Sequence, residues 1–245
     1  MNTIPERYAL VRERIAAAAQ TAGRQPDEIT LVAVTKSWPA ATVLAAYEAG
    51  MRHFGENRAE ELAEKRPVVA AALENGLGII WHQIGHLQSR KTTAVADQAD
   101  FFHALDRVKI AARLSSRLEE NGRQLPILLE VNVSGEATKA GFNCTRWEED
   151  GRQQDELLAA VTQIMALPGL EIRGLMTMAP WDAPPEEIRS VFRRTRLLAD
   201  WLATAVPQAN WHTLSMGMTD DFELAIAEGA THVRIGRAIF GERQS

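Results

Sequence analysis

The stretch Leu31-Val32-Ala33-Val34-Thr35-Lys36-Ser37-Trp38-Pro39 joins an apolar run to a polar break and a helix start. Ile29 to Val34 is mostly apolar, rich in β-branched side chains and of strand length. A segment apolar on both faces suits a strand buried in a parallel sheet. Pro39 then opens a helix over Ala40 to Ala49, with proline near the first helical position. Lys36 therefore falls at the carboxyl end of a buried strand. Desolvation there lowers an ammonium's pKa and makes more of the neutral amine available as a nucleophile. On this stretch alone two readings stay open: a Schiff-base lysine, and a lysine that snorkels from a strand end to water.

Outward from this strand an alternation runs along the chain. Before it, Pro5 to Thr21 reads as a helix, with Tyr8, Val11, Ile15, Ala18 and Ala19 at helical spacing and Gly23 as its stop. Apolar segments recur at Leu31–Val34, Arg52–Phe54, Ile79–Ile84, Phe101–Leu105, Ile127–Val133, Ile172–Met176, Trp211–Leu214 and His232–Ile235. Helical segments lie between most of them, the clearest at Arg58–Glu74, Arg107–Glu120, Asp155–Ala166, Pro185–Ala205 and Asp220–Glu228. Eight strands alternating with helices predict an α/β fold, a single (β/α)8 TIM barrel over residues 1–245 with an extra N-terminal helix. An open doubly wound sheet is the alternative, but no G-x-G-x-x-G follows the first strand. The long polar break from Ser134 to Gln154 reads as a loop at the barrel mouth.

Composition narrows the function classes. The chain has 245 residues, 46% of them hydrophobic and 24% charged, as in an ordinary globular protein. Its formal net charge of −5 offers no basic field for nucleic acid or an anionic membrane. Cys144 is the only cysteine, which rules out an internal disulfide and favours a reducing compartment. The charged start, with Glu6, Arg7, Arg12, Glu13 and Arg14, is no signal peptide, and no stretch reaches the length of a membrane span, so a cytoplasmic location is expected. His82, His86, His103, His212 and His232 lack metal-ligand spacing and are read as barrel or loop residues, with no metal site. The six tryptophans read as packing and rim contacts. Glu60, Glu61, Glu64, Lys65 and Arg66 read as a solvated helix face. Met176, Met178, Met216 and Met218 read as core fillers, with Met176 also placed to touch a ligand at the strand end.

In a barrel the chemistry gathers where the strands end. Those ends carry Lys36, then Phe54-Gly55-Glu56-Asn57, Gly85-His86-Leu87-Gln88-Ser89-Arg90-Lys91, Asn132 and Ser134, and Met176-Thr177-Met178. The seventh end carries Ser215, Gly217 and Thr219 in a hydroxyl-and-glycine turn before the helix near Asp220. The eighth carries Arg234 and Gly236. Glycine lets backbone N–H groups approach an anion, and a helix N-terminus adds unpaired donors. Loops seven and eight are the usual phosphate cup of this barrel. A lysine facing such a cup across the mouth points to pyridoxal 5′-phosphate (PLP), with Arg234 close to its ring. Turn chemistry alone, and an arginine paired with a barrel carboxylate, are the plainer readings.

Several stretches then match one family in order. They are Leu31–Lys36, His53-Phe54-Gly55-Glu56-Asn57, Ile84-Gly85-His86-Leu87-Gln88-Ser89, Glu130-Val131-Asn132, Lys139-Ala140-Gly141-Phe142, Gly174-Leu175-Met176, Leu214-Ser215-Met216-Gly217-Met218 and Val233-Arg234-Ile235-Gly236. The chain resembles the pyridoxal phosphate homeostasis protein family. The resemblance implies a barrel like that of alanine racemase and other fold-type III PLP enzymes, with the cofactor held as a Schiff base on Lys36. It also implies phosphate contacts from Ser215, Gly217 and Gly236, and an arginine, Arg234, at the pyridine nitrogen. Asn57, Met176, Met218 and Thr219 complete the expected contacts. Arg58, Arg90 and Thr219 depart from residues common in the family; the first two put rim contacts in doubt, and the third keeps its hydroxyl.

Two function classes follow. One is a non-catalytic protein that carries or buffers PLP and affects amino-acid metabolism, with amino acids and apo PLP enzymes as candidate partners and a monomeric state. The other is an amino-acid racemase of the alanine racemase type. Racemases of this fold add a C-terminal β-domain that supplies a tyrosine as second base. A chain ending at Ser245 is expected to lack that domain, and its tyrosines, Tyr8 and Tyr47, fall in helices rather than at strand ends. The non-catalytic class is therefore preferred.

Overall fold

The computed structural model describes residues 3–73, 78–136 and 140–242. Helix α1 (Ile4–Thr21) begins in a capping box: Thr3 Oγ1 accepts from the Glu6 N–H, and Glu6 Oε2 accepts from the Thr3 N–H at 2.7 Å. It buries Val11, Ile15 and Ala19, one residue per turn on one face.

Nine strands follow among the described residues: β1 (Thr30–Val34), β2 (His53–Glu56), β3 (Ile80–Gln83), β4 (Phe101–Leu105), β5 (Leu125–Asn132), β6 (Phe142–Asn143), β7 (Leu170–Met176), β8 (Thr213–Ser215) and β9 (His232–Ile235). All pairings are parallel, in the order β4-β3-β2-β1-β9-β8-β7-β5-β6, and β4 also pairs with β5. That last pairing closes eight strands into a ring and excludes the open sheet. The expected (β/α)8 barrel with its extra N-terminal helix is the fold. The outer helices are α2 (Ala40–Glu48), α3 (Ala59–Ala72), α4 (Thr92–Gln98), α5 (Val108–Glu120), α6 (Gly151–Met165), α7 (Pro185–Ala205), α8 (Phe222–Ala227) and α9 (Arg237–Phe240). Phe54, Phe102, Phe192 and Phe222 are fully buried, each contributing roughly 1.5–3 kcal/mol through its burial.

Three readings need correction. The break from Ser134 to Gln154 is not all loop: Phe142–Asn143 pairs with Val131 and Asn132 on β5. Helix α6 starts at Gly151, where Asp150 Oδ1 accepts from the Arg152 N–H at 3.0 Å, four residues earlier than its apolar pattern begins. Helix α4 went unread because it spans seven residues, too few for a periodic pattern to emerge. Lys139 and Glu74, parts of a matching stretch and of a helix reading, lie outside the described residues. No helix among the described residues is long and apolar enough to cross a membrane.

Candidate functional site

A cavity of about 380 Å3 opens at the carboxyl ends of β1, β2 and β9 and the loops beyond β7 and β8. Val34 and Lys36 line it from β1, Asn57 from β2, and Ile84 from the end of β3. Met178 and Trp181 line it after β7, Met218, Thr219 and Asp220 after β8, Arg234 from β9, and Gly236 and Arg237 from the start of α9.

The turn that carries Lys36 is fixed from below. Ser37 adopts φ +67°, a left-handed conformation that costs a non-glycine residue of order 1 kcal/mol. Its N–H donates to Glu61 Oε2 at 2.6 Å, and the Trp38 N–H donates to the Thr35 carbonyl at 3.0 Å. Lys65 Nζ reaches across from α3 to the Thr35 carbonyl and Glu56 Oε1, both at 2.9 Å, and to Glu61 Oε2 at 3.1 Å. Thr35 Oγ1 donates to the same Glu56 oxygen at 2.6 Å. Burial raises the pKa of Glu56, with Thr35 and Lys65 opposing the shift. The face expected to be solvated is thus turned inward at Lys65, which is 8% exposed.

Arg234 crosses the barrel under the cavity. Its guanidinium donates to the Ser215 carbonyl and Oγ, both at 2.7 Å, and to the Thr177 carbonyl at 2.9 Å. Burial lowers its pKa to about 10, opposed by Asp221 and Glu130, so it stays charged at neutral pH. Glu130, on β5, is itself buried and its pKa is pushed up to about 7, by burial first and by Asp106 second. His86 Nδ1 lies 3.2 Å from Glu130 Oε2.

The turn after β8 is compact because Gly217 permits it. At φ +93°, a Cβ there would lie 2.7 Å from Ala225 Cβ and 2.9 Å from Phe222 Cα. The Met218 N–H is held by Asp221 Oδ1 at 2.5 Å, which leaves Thr219 at the cavity wall. Gly236 precedes α9, where the first N–H groups have no intrahelical acceptor. The cavity therefore offers one amine, one buried cation, apolar sides from Val34, Ile84, Met178 and Met218, and donor-bearing turns at one edge. These residues fit a flat aldehyde that carries a phosphate.

Residues 8–244 match the family described as "Alanine racemase, N-terminal domain". The chain is 43% identical over 244 residues to the pyridoxal phosphate homeostasis protein of Pseudomonas aeruginosa, covering 99% of this chain and 97% of that one. It is 42% identical over 247 residues to the protein of that name from Escherichia coli K12, covering 99% and 98%. The PLP-bound structure of PipY from Synechococcus elongatus superposes with a TM-score of 0.81 at 35% identity, covering 98% of this chain and 100% of that one. The chain belongs to the pyridoxal phosphate homeostasis protein family.

Against that family's expected site, Lys36, Asn57, Met218, Thr219, Arg234 and Gly236 all stand at the cavity wall. Met176, Ser215 and Gly217 do not. Met176 is 1% and Ser215 0% exposed, one layer deeper, and Gly217 answers to helix packing. Met178 takes the wall position expected of Met176: both lie on one face of an alternating Met-Thr-Met, and the sequence alone does not say how far the strand rises. The sequence placed Glu56 at a strand end and Lys65 on a solvated face, and linked neither to the turn that carries Lys36. An i,i+4 pair of Glu61 and Lys65 is the ordinary mark of an exposed helix face. Arg58 and Arg90 lie outside the cavity wall, with Arg58 within 4.0 Å of Glu61 and Arg90 donating to Gln88 Oε1 at 3.2 Å.

Proposed function

We propose that the cavity holds pyridoxal 5′-phosphate and that the protein stores and hands on this cofactor without turnover at enzymatic rates. The observation that carries the reading is the flanking of one cavity by Lys36 and the buried Arg234, with donor-bearing turns at its edge. The PLP-bound PipY relative supports it. When bound, PLP supplies an aldehyde to which a primary amine attaches covalently. Lys36 provides that amine from a turn that Lys65 and Glu61 hold rigid. Thr219 and the backbone N–H groups beside Gly236 receive the phosphate, whose charge suits a helix start. Asn57, Ile84, Met178 and Met218 enclose the ring, with Met176, Ser215 and Gly217 supporting the wall from behind. Arg234 only donates, so a ring nitrogen facing it is held as an acceptor and the ring withdraws electrons less strongly.

Racemisation needs a base on each face of the α-carbon. Neither Tyr8 nor Tyr47 reaches the cavity wall, and Lys36 supplies one base only. Amino acids and apo PLP enzymes are the proposed recipients of the cofactor, and a cytoplasmic monomer the proposed state. The test is loading with PLP, reduction with borohydride and peptide mass mapping. Pyridoxyl mass on Lys36 is expected. Label on another lysine, or no visible absorbance band after loading, would overturn the assignment.

A further inference from the structure

A file of histidines runs through the barrel beneath this site. His53 Nδ1 lies 3.0 Å from His82 Nε2, His82 Nδ1 lies 2.8 Å from His103 Nε2, and His103 Nδ1 lies 2.9 Å from Ser215 Oγ. The line begins at the amino end of β2, where His53 is partly exposed, and rises through β3 and β4 to the last residue of β8. His82, His103 and Ser215 are all fully buried.

One arrangement of hydrogens satisfies every polar atom of this line within the contacts it makes. Arg234 has no acceptor, so Ser215 Oγ must accept from it. Ser215 is fully buried, and of the contacts its Oγ makes only His103 Nδ1 can accept the hydroxyl hydrogen. His103 therefore carries its proton on Nε2 and donates to His82 Nδ1, and His82 donates in the same way to His53 Nδ1. Each ring nitrogen inside the line is satisfied, and the last Nε2–H belongs to His53 at the partly exposed end. Bonds aligned head to tail strengthen one another in a buried setting. Burial lowers the pKa of His82 and His103 well below the ordinary histidine range and lowers that of His53 too, which keeps the rings neutral and the pattern intact.

We propose that His103, backed by His82 and His53, is a positioning residue for Arg234: by accepting the Ser215 hydrogen it turns the Oγ lone pairs to the guanidinium and fixes where Arg234 offers its remaining N–H groups. This inference rests on the cavity being the PLP site. It assigns Ser215 to the ring end of that site, not to the phosphate. A hydroxyl spent on phosphate would instead reverse the file, with Nδ1–H tautomers throughout.

The two assignments separate experimentally. Imidazole 15N correlation spectra of the wild-type protein at neutral pH are expected to show His53, His82 and His103 as neutral Nε2–H tautomers, with and without PLP. Binding of PLP is then compared with binding of pyridoxal, which lacks the phosphate. His103→Phe is expected to weaken both by the same factor, about tenfold, as when the Ser215 hydroxyl turns away from the Arg234 guanidinium and that charged hydrogen bond is lost. His103→Asn, whose Oδ1 can replace the Nδ1 acceptor, restores most of the loss. His82→Phe, which does not touch Ser215, weakens both by about threefold through the lost cooperativity. Nδ1–H tautomers, a loss confined to PLP, or unchanged binding in His103→Phe would each overturn the proposal. If His103→Phe does not fold, the wild-type tautomers and His82→Phe decide. A wild-type protein that takes up neither compound on Lys36 overturns the cavity reading itself, a distinct result.

Discussion

Glu130, 2% exposed, shares its surroundings with Asp106 and feels the charge of Arg234. Its pKa of about 7 stands above the ordinary 4.5, so the folded protein prefers the protonated carboxyl. Below about pH 4.5 folded and unfolded chains both hold that proton and the group is neutral to stability. Between 4.5 and 7 only the unfolded chain ionises, and stability falls by at most roughly 3 kcal/mol across that window. Glu130→Gln should therefore match wild type in urea unfolding near pH 4 and exceed it above pH 7. Equal unfolding curves at both pH values would show that Glu130 does not titrate in this way. Gly217 invites a second measurement. Alanine at φ +93° would press on Ala225 and Phe222, so Gly217→Ala should lose about 2 kcal/mol or more of stability. Thr219 gives a third: on the proposed phosphate role of its hydroxyl, Thr219→Val should weaken PLP by about 1–2 kcal/mol and leave pyridoxal binding unchanged. The cavity-lining residues Lys36, Asn57, Arg234 and Gly236 were legible because each sits where a strand stops, and a strand stop is visible in sequence. Ser215 was legible as a polar strand end, but the side on which its hydroxyl is used depends on Arg234 and His103, which lie far from it in sequence.

At the scale of elements, the turn after β1 is held by α3 through four polar groups that leave water together. Lys65→Met would leave Glu56, 0% exposed, without its cation and is expected to cost about 3–5 kcal/mol. Pairing it with Glu56→Gln should recover much of that loss, since the uncompensated charge goes with its partner. Urea unfolding of both singles and the double checks this; additive losses would mean the two side chains are not coupled. The same cluster explains why α3 misled the sequence reading. Its Glu and Lys spacing is that of a solvated face, and only the approach of the β1 turn converts that face into an interior one. Elements β6 and α4 were missed for another reason: two and seven residues carry too little periodicity to register.

For the molecule as a whole, the alternation of strand and helix made the barrel readable, because each buried strand is a nearly continuous apolar run. Closure was read only indirectly, from the count of eight strands and the missing G-x-G-x-x-G, since the β4–β5 pairing that completes the ring leaves no local mark. The non-catalytic reading belongs to this scale, as it depends on what the entire mouth supplies. PLP-loaded protein incubated with single L-amino acids in D2O should show slow exchange but no racemised or decarboxylated product at about 1 per second, an ordinary enzymatic rate. Product at that rate would restore the racemase.

Strand β1 lies between β2 and β9, with Thr30 opposite His232 and Val32 opposite Arg234, so the strands that lead to the lysine and carry the arginine of the site are neighbours across about 200 residues of chain. During synthesis the first strand leaves the ribosome long before its partner exists. Until residue 236 has emerged there is no cavity, no buried guanidinium and no edge for a phosphate. The aldehyde of vitamin B6 is a promiscuous electrophile, and a nascent chain with Lys36 exposed is one amine among many in the cell. Selective capture begins only when the seam between the first strand and the last has closed.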